Sequence, residues 1–211
     1  MSRRGVSAKK KMFILFIIDA TRSMKNVLTA AHEKAENIAC NLTFSYPRVE
    51  FHFGCICYRD PVDIATSQNE FLDFDDDIEN LSIFLSKIEP KTGGDIPEDF
   101  VGALNIAFDS MHWEDGKKGI IWIADSPAHG QRFCGFKNHQ EEEEKLVSLV
   151  QRLANDEFYF IGISIYKNEK HRLSGASRTF NEMKNIYDGV GSGKSFTIEE
   201  FRPDENDEIA S

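Results

Sequence analysis

The sequence predicts an α/β fold: a doubly wound, mostly parallel central sheet with helices on both faces and a short antiparallel edge strand. Three observations predict it. Phe13-Ile14-Leu15-Phe16-Ile17-Ile18 is an unbroken apolar run that stops at Asp19, the pattern of a strand buried on both faces. Gly119 to Ala124 repeats that pattern and stops at Asp125. Around these runs, segments with helical spacing alternate with strand-like segments, which argues for parallel strands joined by helical crossovers.

After the first strand, Val27, Ala31, Ala35, Ile38 and Leu42 recur at helical spacing, and Ser45-Tyr46-Pro47 ends the helix. Val49 to Tyr58 is rich in β-branched and aromatic residues and reads as a strand. Phe71 to Phe74 fits a short edge strand, and Ile78, Leu81, Leu85 and Ile88 mark a helix stopped by Pro90. Pro97, Glu98 and Asp99 suit a helix opening, and Val101, Leu104, Phe108 and Met111 supply that helix's apolar face. Glu141 to Glu144 precede Leu146, Leu149, Val150 and Leu153 and match the dipole of a helix's first turn. Phe158 to Ile165 is a strand, Phe180, Met183 and Tyr187 mark a last helix, and Ser195 to Ile198 a last strand. The organisation expected is a basic flexible tail over 1–11, one domain over 12–200 and an acidic, disordered tail over 201–211.

The 211 residues suit one domain with ample core, and 41% hydrophobic with 28% charged residues is ordinary for a globular protein. A net charge of −10 argues against a duplex nucleic-acid binder, which needs a basic face for phosphates. Cys40, Cys55, Cys57 and Cys134 are too few and too scattered for a disulfide framework. Cys55 and Cys57 point to one face of a strand as buried thiols, with no second close pair to make a zinc site. Basic residues precede Met12 to Ile18, but that run is short for a signal peptide and ends in an acid. No apolar stretch reaches membrane-spanning length. The expected compartment is the cytoplasm.

Asp19, Thr21 and Ser23 fall on the loop at a strand's carboxyl end, where open α/β sheets place ligands. A carboxylate with two hydroxyls is a hard oxygen set, suited to Mg²⁺, Mn²⁺ or Ca²⁺. One strand-end aspartate is ordinarily a helix cap or turn residue. Here Asp125 ends a second strand, and Thr92-Gly93-Gly94-Asp95-Ile96-Pro97-Glu98 adds a third acidic loop. In a doubly wound sheet the three can meet in one crevice.

Asp19-Ala20-Thr21-Arg22-Ser23 resembles the D-x-[ST]-x-S motif of von Willebrand factor A (vWA) domains, half of their metal-ion-dependent adhesion site. Gly93-Gly94-Asp95-Ile96-Pro97-Glu98 resembles the variant of integrin β I-like, hemicentin-like and α-kinase-associated vWA domains, and Gly102-Ala103-Leu104 continues the match to the latter two groups. Ala124-Asp125-Ser126-Pro127-Ala128-His129-Gly130 is similar to the D-A-P-x-H-G loop of the α-kinase-associated group. The three motifs stand in the family's order, and the resemblance spans nearly the whole chain. It implies Thr21 and Ser23 as hydroxyl ligands, Glu98 as a carboxylate ligand, and Asp19 and Asp125 binding directly or through water. The open coordination position would take a protein partner's Asp or Glu. Arg22, Ser126 and His129 would stand at the ligand mouth. Asp60 and Asp95 are the candidates for a second ion. Asn26 and Val27 stand where β I-like domains have the acids of an extra calcium site, so that site is not expected.

The implied function is a divalent-cation-dependent protein-interaction module with neither nucleic acid nor membrane insertion as a target. The alternatives are a metal-dependent hydrolase or phosphotransferase on the same residues, or the vWA part of an α-kinase-like system without kinase activity of its own. No catalytic residue is assigned. An aspartyl-phosphate mechanism would need a second acid at Thr21. The run Gly189 to Ser195 is not a P-loop, because Asp188 stands where the first glycine is required and the segment follows a helix.

Overall fold

The apolar run beginning near Met12 forms β1 (Lys10–Asp19), two residues longer at its start than the run itself. Its side chains alternate between two cores: Leu15 and Ile17 face one, and Ile14, Phe16 and Ile18 the other. A strand needs an unbroken apolar sequence only when both faces are covered. The computed structural model describes residues 9–60, 69–91, 96–135, 137, 139–166 and 168–203. Both terminal tails therefore lie largely outside the described residues, as does Asp95.

The chain continues through α1 (Lys25–Ser45), β2 (Val49–Tyr58), β3 (Glu70–Asp75), α2 (Ile78–Leu85), α3 (Phe100–Asp109) and β4 (Lys117–Ala124). It then forms α4 (Gln131–Cys134), α5 (Gln140–Asn155), β5 (Tyr159–Ile165), α6 (Glu169–Ser174), α7 (Ala176–Val190) and β6 (Phe196–Phe201). The six strands lie in the order β3-β2-β1-β4-β5-β6. All neighbours are parallel except β2 and β3, so the short edge strand is antiparallel, as expected. The two short helices α4 and α6 have no counterpart in the sequence reading. Four and six residues are too few to show an apolar period.

The two faces are covered by different helices. Leu28, Ala35 and Ala39 of α1 and Leu81 and Leu85 of α2 close one core. α3, α5 and α7 close the other, through residues such as Leu104, Leu146, Leu153, Phe180 and Met183. Trp122 at the centre of β4 stacks on Phe100 of α3, with ring centroids 4.5 Å apart, and meets Tyr58 edge-on at 5.5 Å. Its Nε1 donates to Tyr58 Oη at 3.1 Å. Tyr58→Phe leaves that buried N–H without its acceptor. The expected cost is about 1–3 kcal/mol, read as a lower denaturant midpoint at unchanged m-value.

The turn between α7 and β6 contains Gly191 and Gly193 at φ 76° and 74°, a left-handed connection after a helix and before a strand. It has none of the strand-to-helix geometry of a phosphate loop. Cys55 and Cys57 are buried free thiols with sulfurs 4.0 Å apart. Among the described residues, no helix is long and apolar enough to cross a membrane.

Candidate functional site

Sheet order places the site. From β1 the chain steps to β2 on one side, then returns to lay β4 on the other. The carboxyl ends of β1 and β4 therefore flank the point where strand order reverses, which opens a crevice in doubly wound sheets. The two strands are in direct register, with Ile18 opposite Ile123. Asp19 ends one and Asp125 follows the other.

The side chains around this crevice form a connected series. Asp19 Oδ1 accepts from the Thr21 amide at 2.9 Å and from Thr21 Oγ1 at 2.6 Å. Thr21 Oγ1 lies 3.0 Å from Ser23 Oγ, and Ser23 Oγ donates to Asp125 Oδ1 at 3.0 Å. Ser126 Oγ donates to the same oxygen at 2.9 Å. Asp19, Thr21 and Asp125 are buried, whereas Ser23 is exposed, so the series reaches the surface at Ser23 and is anchored in the interior at both ends. A 3₁₀ turn over Arg22–Met24 sets the alternation: Thr21 and Ser23 turn inward to the acids, and Arg22 between them is exposed.

Glu98 reaches the same region from the loop before α3. Its amide donates to Pro127 O at 2.9 Å, and a parallel bridge pairs it with Ala128. Its Oε2 accepts from the Asp60 amide at 2.8 Å, and the residue is buried. Burial, then the nearby Asp19 carboxylate, pushes the Glu98 carboxyl up to about 10. Burial, then Asp125, pushes Asp19 up to about 8, against the bonds from Thr21 that favour its charge.

One atom is left over. Asp19 Oδ2 is buried and has no hydrogen-bond partner among the described residues. An orphaned buried carboxylate oxygen is costly. The groups placed with it are the hydroxyls of Thr21 and Ser23 and the carboxyls of Asp125 and Glu98, all oxygen donors. This is the chemistry of a hard divalent cation, and Asp19, Thr21, Ser23, Glu98 and Asp125 are the residues that would hold one. The Asp19 and Asp125 carboxyls are close enough to act on each other directly, and the hydroxyls of Thr21 and Ser23 link them as well.

Three mouth residues were expected, and they part company. Arg22 is exposed. Ser126 is buried and orients Asp125. His129 is buried too, with Nε2 2.9 Å from Asp60 Oδ1 and its ring 4.5 Å from that of His139. Of the second-ion candidates, Asp60 has one carboxylate oxygen on His129, and Asp95 lies outside the described residues. The Asp60 amide that holds Glu98 is not legible in the sequence, since a backbone donor leaves no compositional trace. His139, Glu141 and Glu142 bring their ligand atoms within 4.8 Å of one another at the start of α5. They lie on the surface, where the acids serve the helix dipole.

Comparison with known proteins agrees with this architecture. The sequence profile of the von Willebrand factor A domain matches residues 13–159. Alpha-protein kinase vwkA of Dictyostelium discoideum is 28% identical over 131 residues, 62% of this chain but only 21% of that protein. The chain thus spans about a fifth of the curated relative it matches. The SpRpn10 VWA domain superposes with a TM-score of 0.62 at 14% identity, over 92% of this chain and 89% of that one. The pilus adhesin SpaC from Lactobacillus rhamnosus GG, in its open conformation, gives 0.64 at 11% identity, over 95% of this chain and 29% of that one. At these identities the structural matches speak for the fold. The profile covers well over half of the sequence, and the chain belongs to the von Willebrand factor A domain family.

Proposed function

We propose that this domain is a protein-interaction module that takes up a divalent cation, Mg²⁺ or Mn²⁺ first, at Asp19, Thr21, Ser23, Glu98 and Asp125. The bound ion supplies an electrophilic position that a partner's Asp or Glu completes. The observation that carries this reading is the buried, unpartnered Asp19 Oδ2 at the head of the hydroxyl series. The chain's own part is to present two hydroxyls and to hold Asp125 in place through Ser23 and Ser126. Glu98 is steadied by a backbone amide, which leaves its second oxygen for the ion. Arg22 adds a cation at the mouth for the same partner carboxylate. The relative named as an alpha-protein kinase lends no kinase activity here, because the matched stretch is 21% of it.

The test is calorimetric titration of Mg²⁺ and Mn²⁺ into the wild type, Glu98→Ala and Ser23→Ala. It is followed by binding of short Asp- or Glu-bearing peptides and their Asn or Gln counterparts, with and without chelator. Saturable cation binding is expected in the wild type, at least about tenfold weaker in Glu98→Ala, with acidic peptides held only when the ion is present. A folded wild type that takes up no cation would sink the reading. Turnover of a phosphoester panel would move it to the hydrolase class.

A further inference from the structure

Arg59 is among the largest fully buried side chains of the protein, at 0% exposure. Burying a guanidinium is costly unless its N–H groups find acceptors, and here the acceptors are informative. Nε donates to Ala20 O at 3.1 Å, and Nη2 donates to Glu89 O at 2.8 Å. Nη1 pairs with Glu70 Oε1 at 2.9 Å. Ala20 is the residue between Asp19 and Thr21. Glu89 opens the segment whose Lys91 amide also donates to Ala20 O, at 3.2 Å, and which bridges Thr21 to Lys91.

The neighbours of Arg59 make the same connection. The amide of Asp60 holds the Glu98 carboxylate, as described above. The amide of Arg59 donates to Asn69 Oδ1 at 2.9 Å, and Asn69 Nδ2 donates to Asp99 Oδ2 at 3.2 Å. The end of β2 thus touches the loop carrying Asp19, Thr21 and Ser23 on one side and the loop carrying Glu98 on the other. A residue needed only for packing would be apolar at this burial. A forked donor set matched to two loop carbonyls and a carboxylate is what places two loops relative to each other.

We infer that Arg59 is a positioning residue for the oxygen-donor set: its guanidinium ties the Asp19–Ser23 loop to Glu89, with Glu70 as its anchor, and so sets that loop against the end of β2, where the Asp60 amide holds Glu98. The inference rests on the cation-binding reading and goes beyond it, since the Arg59 bonds described above run to backbone carbonyls and to Glu70, none of them among the five proposed ligands. It is tested by Mn²⁺ titration and Mn²⁺ electron paramagnetic resonance on wild type, Arg59→Lys, Arg59→Gln and Glu70→Gln, each at a temperature where it is folded. Leu153→Ala, a core change on α5, serves as the stability control.

Lysine keeps the charge but presents one compact ammonium, which does not span three acceptors. Arg59→Lys is therefore expected to weaken Mn²⁺ by at least about tenfold and to broaden the resonance, while Leu153→Ala binds as the wild type does. Glu70→Gln, which leaves the guanidinium in place without its anchor, should fall between. If the wild type binds and Arg59→Lys stays within twofold of it, Arg59 is structural only, and the cation-binding reading stands. If the folded wild type does not bind, both fall together.

Discussion

Asp19→Asn is expected to abolish divalent-cation binding and, in the same protein, to flatten the pH dependence of stability. The two effects share one cause. Burial and the Asp125 carboxylate push the Asp19 carboxyl from 3.8 up to about 8. An acid whose value in the fold lies above its unfolded value contributes stability that is fully present below about 3.8. That contribution is lost as pH rises through about 8, since the unfolded chain ionises first. Without cation, Asp19 should therefore lower stability with rising pH across that window, by at most about 1.4 kcal/mol per pH unit. Glu98, pushed from 4.5 up to about 10, acts with the same sign and extends the window upward.

Asparagine keeps the carbonyl oxygen that accepts from Thr21 and has no charge to lose, so its share of the slope disappears. It also gives up the anionic oxygen that the ion requires. Thermal melts from pH 5 to 9, with chelator and with Mg²⁺, separate these statements. The wild type should gain more from Mg²⁺ as pH rises through 8, because the ion then displaces fewer protons. The variant should gain nothing at any pH. A variant that keeps the wild-type slope in chelator would show that Asp19 is already ionised and paid for in the cation-free fold.

The two strand-end acids were legible in the sequence because apolar runs ending in aspartate are a one-dimensional pattern. So were Thr21 and Ser23, whose spacing survives as the alternation of the 3₁₀ turn. Glu98 was legible only through its motif, since nothing in the spacing alone brings the start of α3 to the end of β1. What joined them was not legible. Arg59 looks like an ordinary charged residue at a strand end, and its burial follows from three acceptors that lie 11, 30 and 39 positions away in the chain. The burial of His129 was not legible for a related reason: a bridge such as Glu98–Ala128, between residues 30 positions apart, leaves no trace in the local sequence.

Gly175→Ala should be strongly damaging although the residue lies outside the oxygen-donor set. Gly175 precedes α7 at φ −90°, which alanine tolerates, so the conformation is not the obstacle. Space is: an added Cβ would lie 2.4 Å from the Asp125 carbonyl oxygen and 2.9 Å from that of His171. Both are backbone atoms, which cannot swing aside as a side chain would. The Asp125 carbonyl also accepts from the Ala176 amide at 3.1 Å, so the methyl prises apart the contact that seats α7 on the site loop. Overpacking of about 1–3 kcal/mol and a strained backbone bond of about 1 kcal/mol give an expected loss of about 2–4 kcal/mol. Asp125 must shift with its carbonyl, which carries its carboxylate away from Ser23 and Ser126, so cation affinity should fall by at least about tenfold. Gly189→Ala is the contrast, because nothing lies within 4 Å of a Cβ there. Near the end of the same helix it should stabilise by about 0.4–1 kcal/mol and leave cation binding alone. If the two alanines gave equal melting temperatures, α7 would not be seated on Asp125 in solution, and the link between the last helix and the site would be lost.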